Sequence, residues 1–163
     1  MTTSYTSNML DWLRDAHAME EQAEQLFSGQ AKRFKDSPSL AQQFEVETAN
    51  VRTHQRALSI RIQQLGGEIS VVKDTAGKLI AAGQNLMGML MTDEPVKGIL
   101  ALYTFTHMGI ASYLILIAAA EAANDEETRS LSKSILEHHR GRAEWLEKHL
   151  SPITEQYLAA HAA

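Results

Sequence analysis

Apolar positions recur at steps of three and four in four long stretches of the chain, and each stretch turns polar near its middle. In the first, Leu10, Leu13, His17, Glu20, Glu24, Phe27, Ala31 and Phe34 share one helical face. The second aligns Phe44, Glu47, Val51, His54 and Leu58, with Asn50 on its flank. The third runs through Ile99, Leu102, Thr106, Gly109, Tyr113, Leu116 and Ala120. The fourth takes Leu131, Ile135, His139 (or His138), Arg142, Leu146 and Leu150. A buried helical face is normally dry, because an unpaired carboxylate there costs several kcal/mol. Glu20 must therefore face a metal ion, a cation from another helix, or water.

Punctuation sets the element ends. Asp36-Ser37-Pro38 breaks the first helix and starts the second, Gly66-Gly67 stops the second, and Asp93-Glu94-Pro95 starts the third. Asn124-Asp125-Glu126-Glu127 separates the third from the fourth, and Ser151-Pro152 is expected to cap a short last segment. The pattern predicts helices at 8–34, 38–65, 94–122 and 125–150, with a shorter one near 75–91; Ile69 to Val72 is a strand candidate too short to build a sheet. Short links make each outer pair an antiparallel hairpin, and Gly66 to Asp93 is long enough to run the length of a bundle. Two hairpins joined by one long crossover is the ferritin-like arrangement, so the predicted fold is an all-α ferritin-like four-helix bundle. One domain is expected over residues 1–163, with 1–7 and 160–163 flexible.

The third helix carries no charge from Gly98 to Ala120, which is long enough to cross a membrane. Its Thr104, Thr106, His107, Gly109 and Ser112, beside charged amphipathic neighbours, favour the inner helix of a bundle and a homodimer interface instead. Met87, Met89 and Met91 read as packing or interface filler on the crossover.

Fifteen basic against twenty acidic residues argue against a nucleic-acid partner, and the Arg52, Arg56 and Arg61 strip reads as a solvated face. No cysteine is present, so thiolate and iron–sulfur chemistry is excluded. Metal chemistry would rest on Glu, Asp and His, which suits iron, manganese or zinc. The polar start, Met1 to Asn8, gives a cytoplasmic expectation.

A di-metal carboxylate bundle takes one Glu from each of two helices and a Glu-x-x-His pair from each of the others. Here the first helix offers Glu20 and the second Glu47 and His54, but Asn50 stands where an acid is wanted. The third has no carboxylate between Lys97 and Glu121, and Arg142 follows His139 by three. One or two carboxylates and a guanidinium do not balance two divalent ions. The favoured reading is a metal-free network in which Arg142 neutralises Glu20. The alternative is a metal-binding protein or oxidoreductase with a mononuclear site of Glu20, His54 and His139, with Glu47 as a fourth ligand, or less readily a di-iron centre.

The run Asp11-Trp12-Leu13-Arg14-Asp15-Ala16-His17-Ala18-Met19-Glu20 resembles the first helix of the bacterial YciE/YciF ferritin-like family, its YciE branch most closely. The likeness continues through Pro38, Val72-Lys73-Asp74, Asp93-Glu94-Pro95-Val96-Lys97-Gly98, Ile110-Ala111-Ser112-Tyr113 and Ala143-Glu144-Trp145-Leu146. The resemblance implies a dimeric bundle with an inner metal site, linked to bacterial stress responses and without a settled activity. Carried over, Glu20 matches the first-helix Glu; the second-helix Glu falls on Asn50, or on Glu47 with a gap, and its following ligand on His54. The third-helix acids fall on Thr106 and Gly109, and the fourth-helix pair on His138 and His139. These residues and Arg142 form the expected buried polar network. A ferritin-like stress protein with an altered inner site follows, its enzyme status left open and leaning to none; a membrane-associated bundle is the third possibility.

Overall fold

Pro38 and Pro95 each take the first turn of a helix, where an N–H has no helical partner to lose and the ring's fixed φ already suits the helix. Asp125 caps the last helix by accepting the backbone N–H of Thr128 at 3.0 Å, and Glu126 and Glu127 follow at its positive end. The computed structural model describes residues 4–69 and 94–162. Among them lie four helices and no strand: α1 (Ser4–Arg33), α2 (Pro38–Gln64), α3 (Pro95–Ala123) and α4 (Glu126–Ala160). The expected short helix near 75–91, the strand candidate beyond Ile69, and Met87, Met89 and Met91 lie outside the described residues.

Two boundaries differ from expectation. α1 begins at Ser4, ahead of the predicted residue 8, so residues 4–7 of the stretch expected to be flexible are helical. α4 does not stop at Ser151-Pro152 but runs 35 residues with Pro152 inside it. A proline there removes a hydrogen bond and crowds the preceding turn, at about 3 kcal/mol. Ile153 keeps the buried stripe of Leu146 and Leu150 going, and Thr154 Oγ1 donates to the Leu150 carbonyl at 2.7 Å; this packing carries the helix through.

α1 packs against α2 and α3, α3 against α4, and α2 meets α4 more sparsely. α2 ends beside the start of α1: Gly66 turns the chain with φ +77°, Gly67 lies against Leu10, and Arg14 Nε donates to the Glu68 carbonyl at 2.8 Å. α3 begins beside the end of α1, with Gly98 against Gln30 and Arg33. The second helix thus ends, and the third begins, at opposite ends of the bundle, which is the ferritin-like connection. Arg61 closes the first of these ends, bonding Asp125 at 2.7 and 2.8 Å, Thr128 at 2.8 Å, and Glu127. Arg52 pairs with Glu24 while staying exposed, and Arg56 is exposed as well, so only Arg61 of the basic strip is drawn in from solvent.

One face of α3 is in the core through Leu102, Phe105, Thr106, Gly109, Tyr113 and Leu116. The other leaves Leu114 46% and Ile115 52% exposed, so α3 is long and apolar enough to cross a membrane yet half of it lines the bundle. Phe27, Phe34, Phe44 and Trp145 gather toward the end of α1, with Trp145 edge-on to Phe44 at 5.6 Å. Trp12 stays on the rim of α1, 42% exposed.

Candidate metal centre

Each stripe delivers its central polar residue to one level of the bundle. Glu20, from α1, is fully buried, and all three other helices reach its carboxylate. From α3, Tyr113 Oη donates to Oε1 at 2.7 Å; from α4, His139 Nε2 lies 2.8 Å from the same oxygen. From α2, His54 Nδ1 lies 3.4 Å from Oε2. The far nitrogen of His54 then meets His138 Nδ1 at 2.8 Å, and His138 is exposed. The α4 alternatives therefore divide: His139 enters the core and His138 stands at its edge.

His139 fits there because residue 109 is glycine. A Cβ on Gly109 would come within 2.3 Å of His139 Nδ1 and 2.4 Å of its Cε1, so the imidazole occupies the space a side chain would take. Where the resemblance places a third-helix acid, this chain has traded it for a fourth-helix imidazole.

Charge follows from these contacts. Burial alone would raise the Glu20 pKa, but the hydrogen bonds of His139 and His54 outweigh it and hold the carboxyl well below its ordinary range. Burial pushes the His139 pKa down, against the pull of Glu20. Burial, then the charge of Glu20, pushes the Tyr113 phenol up. Glu20 is ionised, Tyr113 holds its proton, and neutral His139 donates through Nε2, leaving Nδ1 as a lone pair facing Gly109. His139 Nδ1 has no partner among the described residues.

Arg142 does not neutralise Glu20. Its Nε donates to Glu47 at 2.7 Å, and its guanidinium lies 4.6 Å from the centre of the Phe27 ring. Arg142 comes one turn after His139, and Phe27 lies two turns along α1 from Glu20, so the long arginine stem serves the next level of the core. Glu47 is held by Arg142 and by Gln43 at 3.2 Å, which removes it as a fourth ligand.

Glu20, His54 and His139 each offer an atom within 4.8 Å of the others, the one such trio among the described residues. Among the described residues, buried Thr106 has no partner for its hydroxyl, and half-buried Asn50 bonds none of the trio. His17, on the same stripe, sits 3.9 Å from Glu21 and outside the cluster. Tyr113 is the site residue that sequence reasoning missed; its place one turn beyond Gly109 on the α3 stripe was the available signal.

The donor set does not fit two metal ions. One free carboxylate and two imidazoles cannot balance four positive charges, and Thr106 and Gly109 bring none. It does fit one divalent ion, as two imidazoles and a carboxylate.

The fold is shared widely. A Xanthomonas campestris pv. campestris protein of known crystal structure is 29% identical, with a TM-score of 0.83 over 98% of this chain and 100% of that one. A Rhodobacter capsulatus bacterioferritin, solved with a metal-free dinuclear site and haem iron, is 15% identical, with a TM-score of 0.75 over 96% of this chain and 94% of its own. Ferritin-like, diiron-carboxylate proteins from Bacillus anthracis match at 15% identity and a TM-score of 0.75, over 91% of this chain and 99% of theirs. The family model described as a domain of unknown function, DUF892, matches residues 4–159, and the chain therefore belongs to that YciF-type ferritin-like family.

Proposed function

We propose that this protein is a ferritin-like bundle whose inner site binds one divalent metal ion through Glu20, His54 and His139, in place of a di-iron centre. A single observation carries the reading: Glu20 is a fully buried anion beside two imidazoles, while the nearby guanidinium of Arg142 bonds Glu47 instead. Glu47 and Arg142 cancel, so the Glu20 level is left with one negative charge and no permanent cation. The expectation of a metal-free site rested on Arg142 facing Glu20, and without that contact a bound ion or a histidine proton must supply the balance.

Bound there, a divalent ion would supply Lewis acidity. The chain's own groups orient the carboxylate: Tyr113 fixes Oε1 by its hydrogen bond, and Gly109 seats the His139 ring. Val51, Leu58, Ile135 and Leu116, one turn away on the other three helices, are buried apolar side chains.

The test is titration of metal-stripped protein with Co(II), Zn(II) and anaerobic Fe(II), followed by desalting and elemental analysis. One retained ion per chain is expected, lost in Glu20→Gln. No retained ion at neutral pH, or two irons with rapid oxygen-dependent oxidation, would overturn the proposal.

A second reading, a homodimer acting through an apolar surface, is supported by the groove of about 320 Å³ lined by Tyr5, Trp12, Ile115 and Ala119. A clean monomer in light scattering at micromolar concentration would sink it.

A further inference from the structure

We propose that His138 is the entry ligand of this site: it takes a divalent ion from solvent and passes it through His54 to the inner position. The inference rests on the reading of Glu20, His54 and His139 as a metal site and adds a route to it.

The geometry is a chain of nitrogens from outside to inside. His138 is exposed, and its Nδ1 lies 2.8 Å from His54 Nε2, with the two rings 5.0 Å apart. His54 is only 3% exposed, and its other nitrogen faces Glu20. Metal–imidazole bonds of about 2.1 Å place adjacent ligand nitrogens about 3 Å apart, so the His138–His54 pair is already close to the bite of one ion. One turn from the site residues the helices carry fully or nearly fully buried apolar side chains, Leu58 and Val51 on α2, Ile135 on α4 and Leu116 on α3. An ion passing between those side chains would shed its water without gaining a ligand.

Charge gives the route a direction. The outer pair offers two imidazoles, while the inner trio adds the Glu20 carboxylate, so affinity rises inward. His54 belongs to both positions and hands the ion from one nitrogen to the other. With the ion on Nε2, the proton stays on Nδ1 and faces Glu20 Oε2. With the ion on Nδ1, that proton has been lost to solvent, and Nε2 has taken one from solvent at the exposed His138 side and donates it to His138 Nδ1. Each state keeps one proton on His54 and leaves its second nitrogen bonded.

The test compares wild type, His138→Ala and His138→Asp. Co(II) uptake is followed by stopped-flow absorbance, and release by mixing with excess chelator. In His138→Ala, uptake and release should slow together by about tenfold or more, with the ion count at saturation unchanged. His138→Asp, which restores a ligand at the same place, should recover both rates. Unchanged rates would overturn the proposal, and faster ones would mean that His138 plugs the site. Weaker affinity with unchanged uptake would make His138 a resident ligand and overturn it equally. If wild type holds no cobalt, the metal-site reading itself has failed, and this is seen without any variant.

Discussion

Glu47 and Glu20 are both buried carboxylates on facing helices, yet Glu47 meets a guanidinium while Glu20 meets two imidazoles and a phenol. A guanidinium keeps its charge at every accessible pH, and here Arg142 spends its Nε on Glu47 while Nη1 and Nη2 find no hydrogen-bond partner among the described residues. Imidazoles near neutrality carry charge only conditionally, and their nitrogens can exchange a proton for a metal ion. The contrast teaches that burial alone does not mark a carboxylate as functional. What marks it is a partner able to give up its proton.

The largest effect should come from breaking the Arg142–Glu47 pair. Arg142→Met strands the Glu47 charge and should cost about 3–5 kcal/mol in denaturant unfolding. Adding Glu47→Gln should recover much of that loss, whereas adding Glu20→Gln should come closer to additivity. The reverse ranking would place Arg142 on Glu20 and dissolve the distinction between the two levels.

That pairing is where sequence reasoning met its limit. The stripes revealed the helices, the hairpins and the central level, because spacing fixes which face a residue occupies. Spacing does not fix axial reach: Arg142 lies on the right face, but its stem carries the guanidinium to Glu47. Tyr113 passed as a core aromatic, since nothing local shows that its hydroxyl meets an acid 93 residues away in sequence. Gly109 looked like a lost acid, and only the packing shows it to be the seat of His139. Pro152 looked like a stop, and the buried side chain of Ile153 overruled it.

Filling the glycine sharpens the comparison on the Glu20 side. Gly109→Ala must push the His139 ring aside, an overpacking expected to cost about 1–3 kcal/mol and to release the bound ion. His139→Ala in the same chain should restore stability without restoring the ion. Metal retention in Gly109→Ala would show that His139 is not a ligand.

The smallest effect per step, and the most specific to the Glu20 level, is its pH dependence in metal-free protein. Burial holds the His139 pKa below its ordinary 6.5, so below that pH the unfolded chain binds a proton that the folded chain refuses. Stability is therefore full above pH 6.5 and falls on acidification toward the folded pKa, by at most about 1.4 kcal/mol per pH unit. Glu20 adds a second loss in the same direction once the pH drops below its ordinary 4.5, since its folded pKa is also depressed. Tyr113 acts with the opposite sign: its raised pKa gives stability that is complete below pH 10 and lost above it. Urea unfolding across pH 4–8, in chelator, should show a His139→Gln variant losing less stability than wild type between about pH 6.5 and 4.5. Parallel curves for the two proteins would mean that His139 titrates alike folded and unfolded.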